Sequence, residues 1–253
     1  MVIPLYDHNP FKWPVPPYAT WGLIAVNAIV FAIEAASPDE TVAAMIGMFG
    51  TVPAEIFRYS PHPGVLPAEV TLVTSSFLHG GFGHLFGNML FLFIFGDDIE
   101  EVLGPLRFLS FYFLCAIASD LTYAAANPHS LMPTIGASGA VAGVLAAYLL
   151  LRPCAKVLIA LGWIPIMRVR AYWILGSWIA LQVYHVLNKP GEEIAYMAHV
   201  GGFVAGGVLF LALKPSWVEL FDCIEEPDQT AESYATHGSA IRNQQLGGKC
   251  RSP

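Results

Sequence analysis

The chain has 253 residues, of which 55% are hydrophobic and only 12% are charged. A soluble domain carries about a quarter charged residues, and a mean hydropathy of +0.56 is too high for a disordered chain, so both classes are excluded and an integral membrane protein is indicated. The net charge of −7 provides no basic surface, and no nucleic-acid partner is expected.

Six apolar stretches predict membrane-spanning helices, because a span needs roughly 20 mostly apolar residues. In chain order they are residues 18–36, 78–95, 108–126, 136–151, 171–187 and 194–213. The stretch 157–167 is too short to span and contains Pro165, so we interpret it as an interfacial or loop segment. The acidic stretch 96–107 is interpreted as a solvated turn after the second span, in which Glu100 or Glu101 pairs with Arg107.

The Lys and Arg residues predict the orientation, since cytoplasmic loops carry an excess of them. With six spans both termini share one side of the membrane. Of the Lys and Arg residues, only Arg58 and Lys189 fall in loops on the other side. We therefore expect a cytoplasmic N-terminal segment 1–17, a six-span domain 18–213 and a disordered cytoplasmic tail 214–253. The loop from residue 37 to about residue 71 is expected to be external, and the short termini favour a bacterial plasma membrane.

Polar side chains within apolar spans are costly in lipid and are the first functional candidates. In the second span His84 and Asn88 are four residues apart, so they share one helix face and can donate hydrogen bonds to a common point. His79 precedes them at the external end of the span. The same side chains could instead join neighbouring helices. A zinc site is the weaker reading, since no cysteine or carboxylate lies nearby at ligand spacing.

Ser138 lies in the first turn of the fourth predicted span, because Pro133 and Gly136 mark the start of that helix. Free backbone N–H groups cluster at a helix start, where the helix dipole is positive. A serine nucleophile there would have an oxyanion site in its own backbone N–H. Gly139 and Gly143 are also typical of close helix packing, which is the structural alternative for this segment.

His199 lies near the external start of the sixth predicted span, beside a stripe of small residues formed by Ala198, Gly202 and Gly206. Such a stripe allows another backbone to approach closely, and its natural partner is the glycine face of the fourth span. If these two faces pack, His199 comes level with Ser138. A capping or interfacial histidine is the alternative.

Together these residues supply a nucleophile, a base and oxyanion donors, the groups that acyl transfer requires. The arrangement resembles the rhomboid family of intramembrane serine proteases. The resemblance extends over about residues 17–213 and includes the turn Gly96-xxx-Glu100-xxx-Gly104. Its motifs, in order on spans two, four and six, are His79-xxxx-His84-xxx-Asn88, Gly136-Ala-Ser138-Gly139 and Ala198-His199-xx-Gly202-xxx-Gly206.

The resemblance implies an all-α polytopic membrane protein, a six-transmembrane-helix rhomboid-like bundle. It implies an intramembrane serine endopeptidase in which Ser138 is the nucleophile and His199 is the general base and then the general acid. His84, Asn88 and the backbone N–H of Ser138 would form the oxyanion hole. The implied partners are transmembrane protein substrates and the lipid bilayer. No metal and no organic cofactor is implied.

The sequence departs from the family pattern in two places. Ala142 stands where some members carry an aromatic side chain that stacks on the catalytic histidine. The group that orients His199 is therefore left open, with Asp120 as one candidate. An adjacent Trp-Arg pair of some members is missing from the first external loop, where Arg58 is the nearest replacement. Other readings are a catalytically silent client-binding protein, a transporter with a proton relay of polar side chains, and a membrane scaffold.

Overall fold

The computed structural model describes residues 2–7, 16–60, 64–161, 164–188, 195–221 and 223. The chain divides into two compact units, Met1–Asp222 and Cys223–Pro253. Of the second unit only Cys223 is described, so most of the predicted tail 214–253 lies outside the described residues. The fold below is that of the first unit.

The first unit is built mainly of helices, and a long helix falls within or across each of the six predicted spans. The helices are α1 (Tyr18–Ala36), α2 (Asp39–Phe49), α3 (Pro53–Ile56), α4 (Ala68–Thr74), α5 (Phe82–Leu103), α6 (Pro105–Ala126), α7 (Ser138–Leu151), α8 (Ala171–Asn188) and α9 (Tyr196–Leu213). Large side chains of α5, α6 and α7 fill the centre and are fully buried. These include Phe95, Phe108, Phe111, Tyr112 and Tyr148.

Membrane-spanning length and apolarity are found in fewer helices than the sequence predicted. Among the described residues, α1, α6 and α9 meet both criteria, and α4 with the 3-10 turn Ser75–Phe77 meets them jointly with α5 as one span bent by 87°. Helix α7 is apolar but only 14 residues long. These helices support an integral membrane protein, while the count of six spans stays a prediction.

Helix α5 runs through the acidic stretch that was predicted to be a solvated turn, and that prediction was wrong. Glu100 is buried, and its carboxylate accepts hydrogen bonds from the backbone N–H groups of Ala19 and Thr20 at 2.9 and 2.7 Å. The hydroxyl of Thr20 donates to the same carboxylate at 2.8 Å. Because α1 begins after Pro17 with no side-chain cap of its own, Glu100 supplies the acceptor that the free amides at its start require.

A second acid in this stretch also has a partner inside the protein. The Asp98 carboxylate lies 3.6 Å from the Arg152 guanidinium at the end of α7, and Asp98 is buried. The expectation was that Glu100 or Glu101 pairs with Arg107. Glu100 instead joins α5 to α1, and Asp98 joins α5 to the end of α7. A pairing of Glu101 with Arg107 stays a prediction. Gly104, with φ of 77°, then turns the chain directly into α6.

A three-stranded antiparallel sheet corrects the expectation of an all-α fold. Strands β1 (Val2–Asp7), β2 (Lys156–Leu161) and β3 (Ile164–Arg170) pair in the order β1-β2-β3. Of the stretch 157–167, predicted to be a loop or interfacial segment, residues 157–161 and 164–167 thus belong to two paired strands, and residues 162 and 163 lie outside the described residues. Val157 and Ile159 are buried in the hydrophobic core, whereas Lys156 is exposed and Leu158 is half-buried, which is the period-two pattern of a half-buried strand.

The loop between the first two predicted spans contains short helices and is fastened to the helical core. Thr51 pairs with Thr134 through two backbone hydrogen bonds of 3.0 and 2.8 Å. The hydroxyls of Thr51 and Ser75 lie 2.5 and 2.8 Å from Oδ2 of Asp120 on α6. These contacts hold the loop beside the start of α7, and they are made by buried polar groups.

Candidate active site

Helices α7 and α9 pack backbone against backbone through four glycines. A Cβ atom added at Gly202 would lie 2.1 Å from the carbonyl oxygen of Gly139, and one added at Gly206 would lie 2.3 Å from Cα of Gly143. No side chain fits between the helices at these positions. The predicted contact between the two small-residue faces is therefore present, and we refer to Gly139, Gly143, Gly202 and Gly206 as the glycine interface.

The glycine interface brings Ser138 and His199 together. Ser138 is the first residue of α7 and His199 lies in the first turn of α9, so both are at the same end of the paired helices. Oγ of Ser138 lies 2.8 Å from Nε2 of His199, within hydrogen-bonding distance. This is the spacing that a nucleophile and its general base require.

The second ring nitrogen of His199 has a partner that the sequence analysis did not identify. Nδ1 of His199 lies 2.8 Å from Oε1 of Gln182 on α8, and Gln182 is only 6% exposed. The ring of Trp178, one turn earlier on α8, is tilted against the imidazole with 5.8 Å between centroids. The rule that drew attention to polar groups within apolar spans applies equally to Gln182, whose amide interrupts the fifth predicted span.

The structure shows where Asp120 and Arg58 lie, the two residues whose roles the sequence left open. Asp120 does not contact His199 in the described geometry, because its Oδ2 is engaged by Thr51 and Ser75. It acts on the site indirectly, since the backbone carbonyl of Ser75 accepts a hydrogen bond of 2.9 Å from the N–H of Gly136. Arg58, the expected brace of the first loop, is exposed and has φ of 59°, while the buried contacts of Asp120 fasten this loop.

His84 and Asn88 lie on α5 facing the start of α7. Gly136 has φ of 119°, and a Cβ atom added there would lie 2.6 Å from Cε1 of His84, so both the backbone angle and the ring require glycine. The side-chain N–H of Asn88 donates to Nε2 of His79 at 3.1 Å. His79 is buried, and its hydrogen bond with Asn88 fixes the position of the Asn88 side chain.

One cavity of about 660 Å³ joins these groups. Its lining includes His84, Asn88, Gly136, Ser138 and His199, and also Trp178 from α8. A cavity with polar groups at its wall can hold water among apolar helices. Within the described part of the chain, no group of three or more His, Cys, Asp and Glu side chains could hold a metal ion.

The chain belongs to the rhomboid family, because the family model of the Rhomboid domain matches residues 68–216, more than half of the chain. It is 32% identical over 148 residues to Rhomboid protein 1, mitochondrial, of Saccharomyces cerevisiae, covering 55% of this chain and 40% of that protein. It is 30% identical over 160 residues to Rhomboid-like protein 11, chloroplastic, of Arabidopsis thaliana, covering 58% and 54%. It is 32% identical over 153 residues to Rhomboid-like protease 1 of Toxoplasma gondii, covering 58% and 50%.

The chain therefore spans about half the length of these curated relatives. The family assignment and the apolar helices agree that this is an integral membrane protein. The names of two of these relatives include the words mitochondrial and chloroplastic. The relatives therefore do not support the bacterial plasma membrane that was expected from the sequence.

Proposed function

We propose that the protein is an intramembrane serine endopeptidase that hydrolyses peptide bonds in or near transmembrane segments of other membrane proteins. The observation that carries this proposal is the 2.8 Å contact between Oγ of Ser138 and Nε2 of His199, at the wall of a cavity between apolar helices. The name of the Toxoplasma relative, a protease, is consistent with it.

The proposed reaction begins when His199 takes the proton of the Ser138 hydroxyl as the oxygen attacks the scissile carbonyl carbon. The carbonyl oxygen becomes an oxyanion, for which His84, Asn88 and the backbone N–H of Ser138 are the proposed donors. The imidazolium then protonates the leaving amine as the C–N bond breaks, so one peptide departs and the other stays bonded to Ser138 as an acyl-enzyme. Water from the cavity attacks the acyl-enzyme, with His199 again as the base, and the serine is restored.

The substrate of this reaction is a transmembrane helix that enters the cavity from the side. A peptide bond within a helix is shielded by its own hydrogen bonds, so the segment has to unwind before attack. Helix-weak residues near the cut, and a small residue at it, should therefore favour cleavage. The family assignment supports membrane proteins as the substrate class.

Two other functions, client binding without catalysis and transport, are less well supported by the contacts of the site. A client-binding protein without activity does not need a serine and a histidine in hydrogen-bonding contact, and both are present here. A transporter would use His84, Asn88, Asp120 and His199 as a proton relay. Against this, Asp120 is engaged by hydroxyl groups of the first loop instead of by His199.

We also propose that both ends of the domain face the compartment from which the chain is inserted. The Lys and Arg excess supports this, seven residues against Arg58 and Lys189 even when Arg242, Lys249 and Arg251 of the tail are left out. The seven are Lys12, Arg107, Arg152, Lys156, Arg168, Arg170 and Lys214. In a bacterial plasma membrane that compartment is the cytoplasm.

The proposed activity is tested by cleavage of single-span substrates in liposomes by the purified protein. Ser138→Ala and His199→Ala should each reduce cleavage by at least about 10³-fold, because each removes a group that takes part in bond making. A fluorophosphonate should label the wild type at Ser138 and label neither variant. Full cleavage by folded Ser138→Ala would exclude the serine mechanism. A wild type that is neither labelled nor active on any substrate would favour the client-binding function.

A further inference from the structure

We propose that Gln182 is a positioning residue of the active site, which fixes the tautomer and the ring orientation of His199. This inference rests on the proposed function. It supplies the third group that the Ser138–His199 pair otherwise lacks and that the sequence did not reveal. The group comes from α8, a helix that carries neither the nucleophile nor the base.

The hydrogen bonds of the Gln182 amide fix which of its atoms faces the histidine. Nε2 of Gln182 donates to the backbone carbonyl of Trp178 at 3.4 Å, four residues earlier on α8. Turning the amide over would place its oxygen against that carbonyl oxygen, and two acceptors repel each other. The orientation with Oε1 towards His199 is therefore favoured by contacts within α8 itself.

An acceptor facing Nδ1 determines where the imidazole proton resides. Oε1 of Gln182 can only accept, so Nδ1 of His199, 2.8 Å away, has to donate and carries the ring hydrogen. Nε2 then has a free lone pair, and it is this nitrogen that lies 2.8 Å from Oγ of Ser138. Gln182 thereby selects the tautomer in which His199 can accept the serine proton.

A neutral amide suits this position better than a carboxylate would. The site lies among apolar helices, and Gln182 is buried on the inner face of α8, where an ionised side chain would be costly. Among the described residues, the aromatic rings of Trp178 and Tyr196 and the hydroxyl of Ser138 also contact the imidazole, and the His84 ring is close enough to act on it electrostatically. Asp120, the acid considered from the sequence, is held by Thr51 and Ser75.

The contribution of Gln182 should grow as the reaction proceeds. When His199 takes the serine proton it becomes an imidazolium, and the bond from Nδ1 to Oε1 of Gln182 becomes charge-assisted and stronger. An interaction that strengthens in the transition state raises kcat and leaves substrate binding unchanged. We therefore expect the loss of Gln182 to reduce kcat with little change in KM.

The kinetic test compares Gln182→Met with Gln182→Glu. Methionine has nearly the same shape but offers no comparable acceptor, and we expect kcat to fall about 10- to 100-fold at unchanged KM. Glutamate retains an oxygen at the acceptor position and should recover part of that loss, but not all of it, because a carboxylate is costly at this buried position. The rate of fluorophosphonate labelling of Ser138 should follow the same order, since it reports the reactivity of the serine without substrate.

The matched control is Asn188→Leu, on the same helix. Asn188 also donates its side-chain amide to a carbonyl four residues earlier, that of Tyr184 at 2.9 Å, but it is exposed. Its loss should leave kcat unchanged. A positioning role is overturned if Gln182→Met retains the wild-type kcat and labelling rate, or if Asn188→Leu loses as much.

The tautomer itself is measured by nitrogen NMR of ¹⁵N-histidine-labelled protein in liposomes, with the His199 signals assigned by their loss in His199→Ala. We expect the hydrogen on Nδ1 in the wild type and a mixture of tautomers in Gln182→Met. A wild-type hydrogen on Nε2 overturns the proposal even if Gln182→Met does not fold. The outcomes separate from those of the proposed function, because an active Ser138→Ala would refute the enzyme, whereas an active Gln182→Met would refute only the role of Gln182.

Discussion

The surroundings of His199 come from two helices, α7 and α8, which are joined to α9 in different ways. On one side α9, which carries His199, meets α7 through the glycine interface, and eleven of the fourteen residues of α7 are buried. On the other side α8 contacts the imidazole through the side chains of Gln182 and Trp178. Of the eighteen residues of α8, three are buried: Ala171, Leu175 and Gln182.

The difference separates two requirements of the site. A backbone contact without side chains fixes how far apart two helices lie, and it leaves no freedom for adjustment. Side-chain contacts fix the rotation and protonation of a ring, and they can be altered without moving a helix. The distance from Ser138 to His199 is thus set by α7 and α9, and the orientation of His199 by α8.

The largest effect is expected from filling the glycine interface. In Gly202→Val the first side-chain atom meets the carbonyl oxygen of Gly139, so α9 has to move away from α7. We expect no detectable cleavage and an unfolding free energy lower by about 2–4 kcal/mol, measured by denaturant titration in detergent.

Gly207→Val is the control for this substitution. It places the same side chain on the same helix, where the nearest atom to an added Cβ is Cδ1 of Leu150 at 3.8 Å. It should retain both stability and activity. Wild-type activity in Gly202→Val would show that the backbone contact does not set the distance in the site.

A smaller effect is expected from the aromatic contact on α8. Trp178→Ala removes the ring that is tilted against His199, and contacts of this kind contribute about 0.5–1.5 kcal/mol. We expect kcat to fall about 2- to 10-fold, with stability nearly unchanged, because Trp178 is only half-buried. Trp173→Ala, which removes a 65% exposed tryptophan from the same helix, should leave the rate unchanged. Equal losses in the two variants would argue against an orienting role for Trp178.

The smallest effect is expected from a polar contact behind the glycine interface. The Ser119 hydroxyl on α6 donates to the carbonyl of Ala198 at 2.8 Å, next to His199. Ser119→Ala should reduce the unfolding free energy by about 0.6 kcal/mol, the average for such bonds between membrane helices, and kcat by less than about twofold. Ser110→Ala removes an exposed hydroxyl that bonds within the same helix and is the reference. A tenfold loss of rate in Ser119→Ala would give α6 a part in positioning His199.

Much of the site could be predicted because its information is local. The spacing of His84 and Asn88, the serine at a helix start and the four-residue repeat of small residues beside His199 each depend on one helix. The contact between Gly139 and Gly202 could be predicted because a stripe of small residues on each helix allows the two backbones to approach closely. The same reasoning could not assign a partner to Gln182, because a single amide in an apolar span does not indicate which neighbour it faces.

The errors in the fold come from contacts between distant parts of the chain. Glu100 and Asp98 were taken for solvated acids, since charge alone does not reveal that the start of α1 and Arg152 lie beside them. The stretch 157–167 was judged too short to span and was interpreted as an interfacial or loop segment, because the alternation of β2 indicates a strand only once β1 and β3 are known to be its neighbours. Arg58 was chosen for its charge, whereas the loop is held by hydroxyl groups.

The small sheet also restricts how the chain is threaded through the bilayer. Strands that share hydrogen bonds lie on one side of the membrane, and β1 precedes α1 while β2 follows α7. The number of crossings between Asp7 and Lys156 must therefore be even. Helix α1, the bent pair of α4 and α5, and helix α6 provide three. This parity favours counting the 14-residue α7 as the fourth crossing, although at 1.5 Å per residue it is only about 21 Å long.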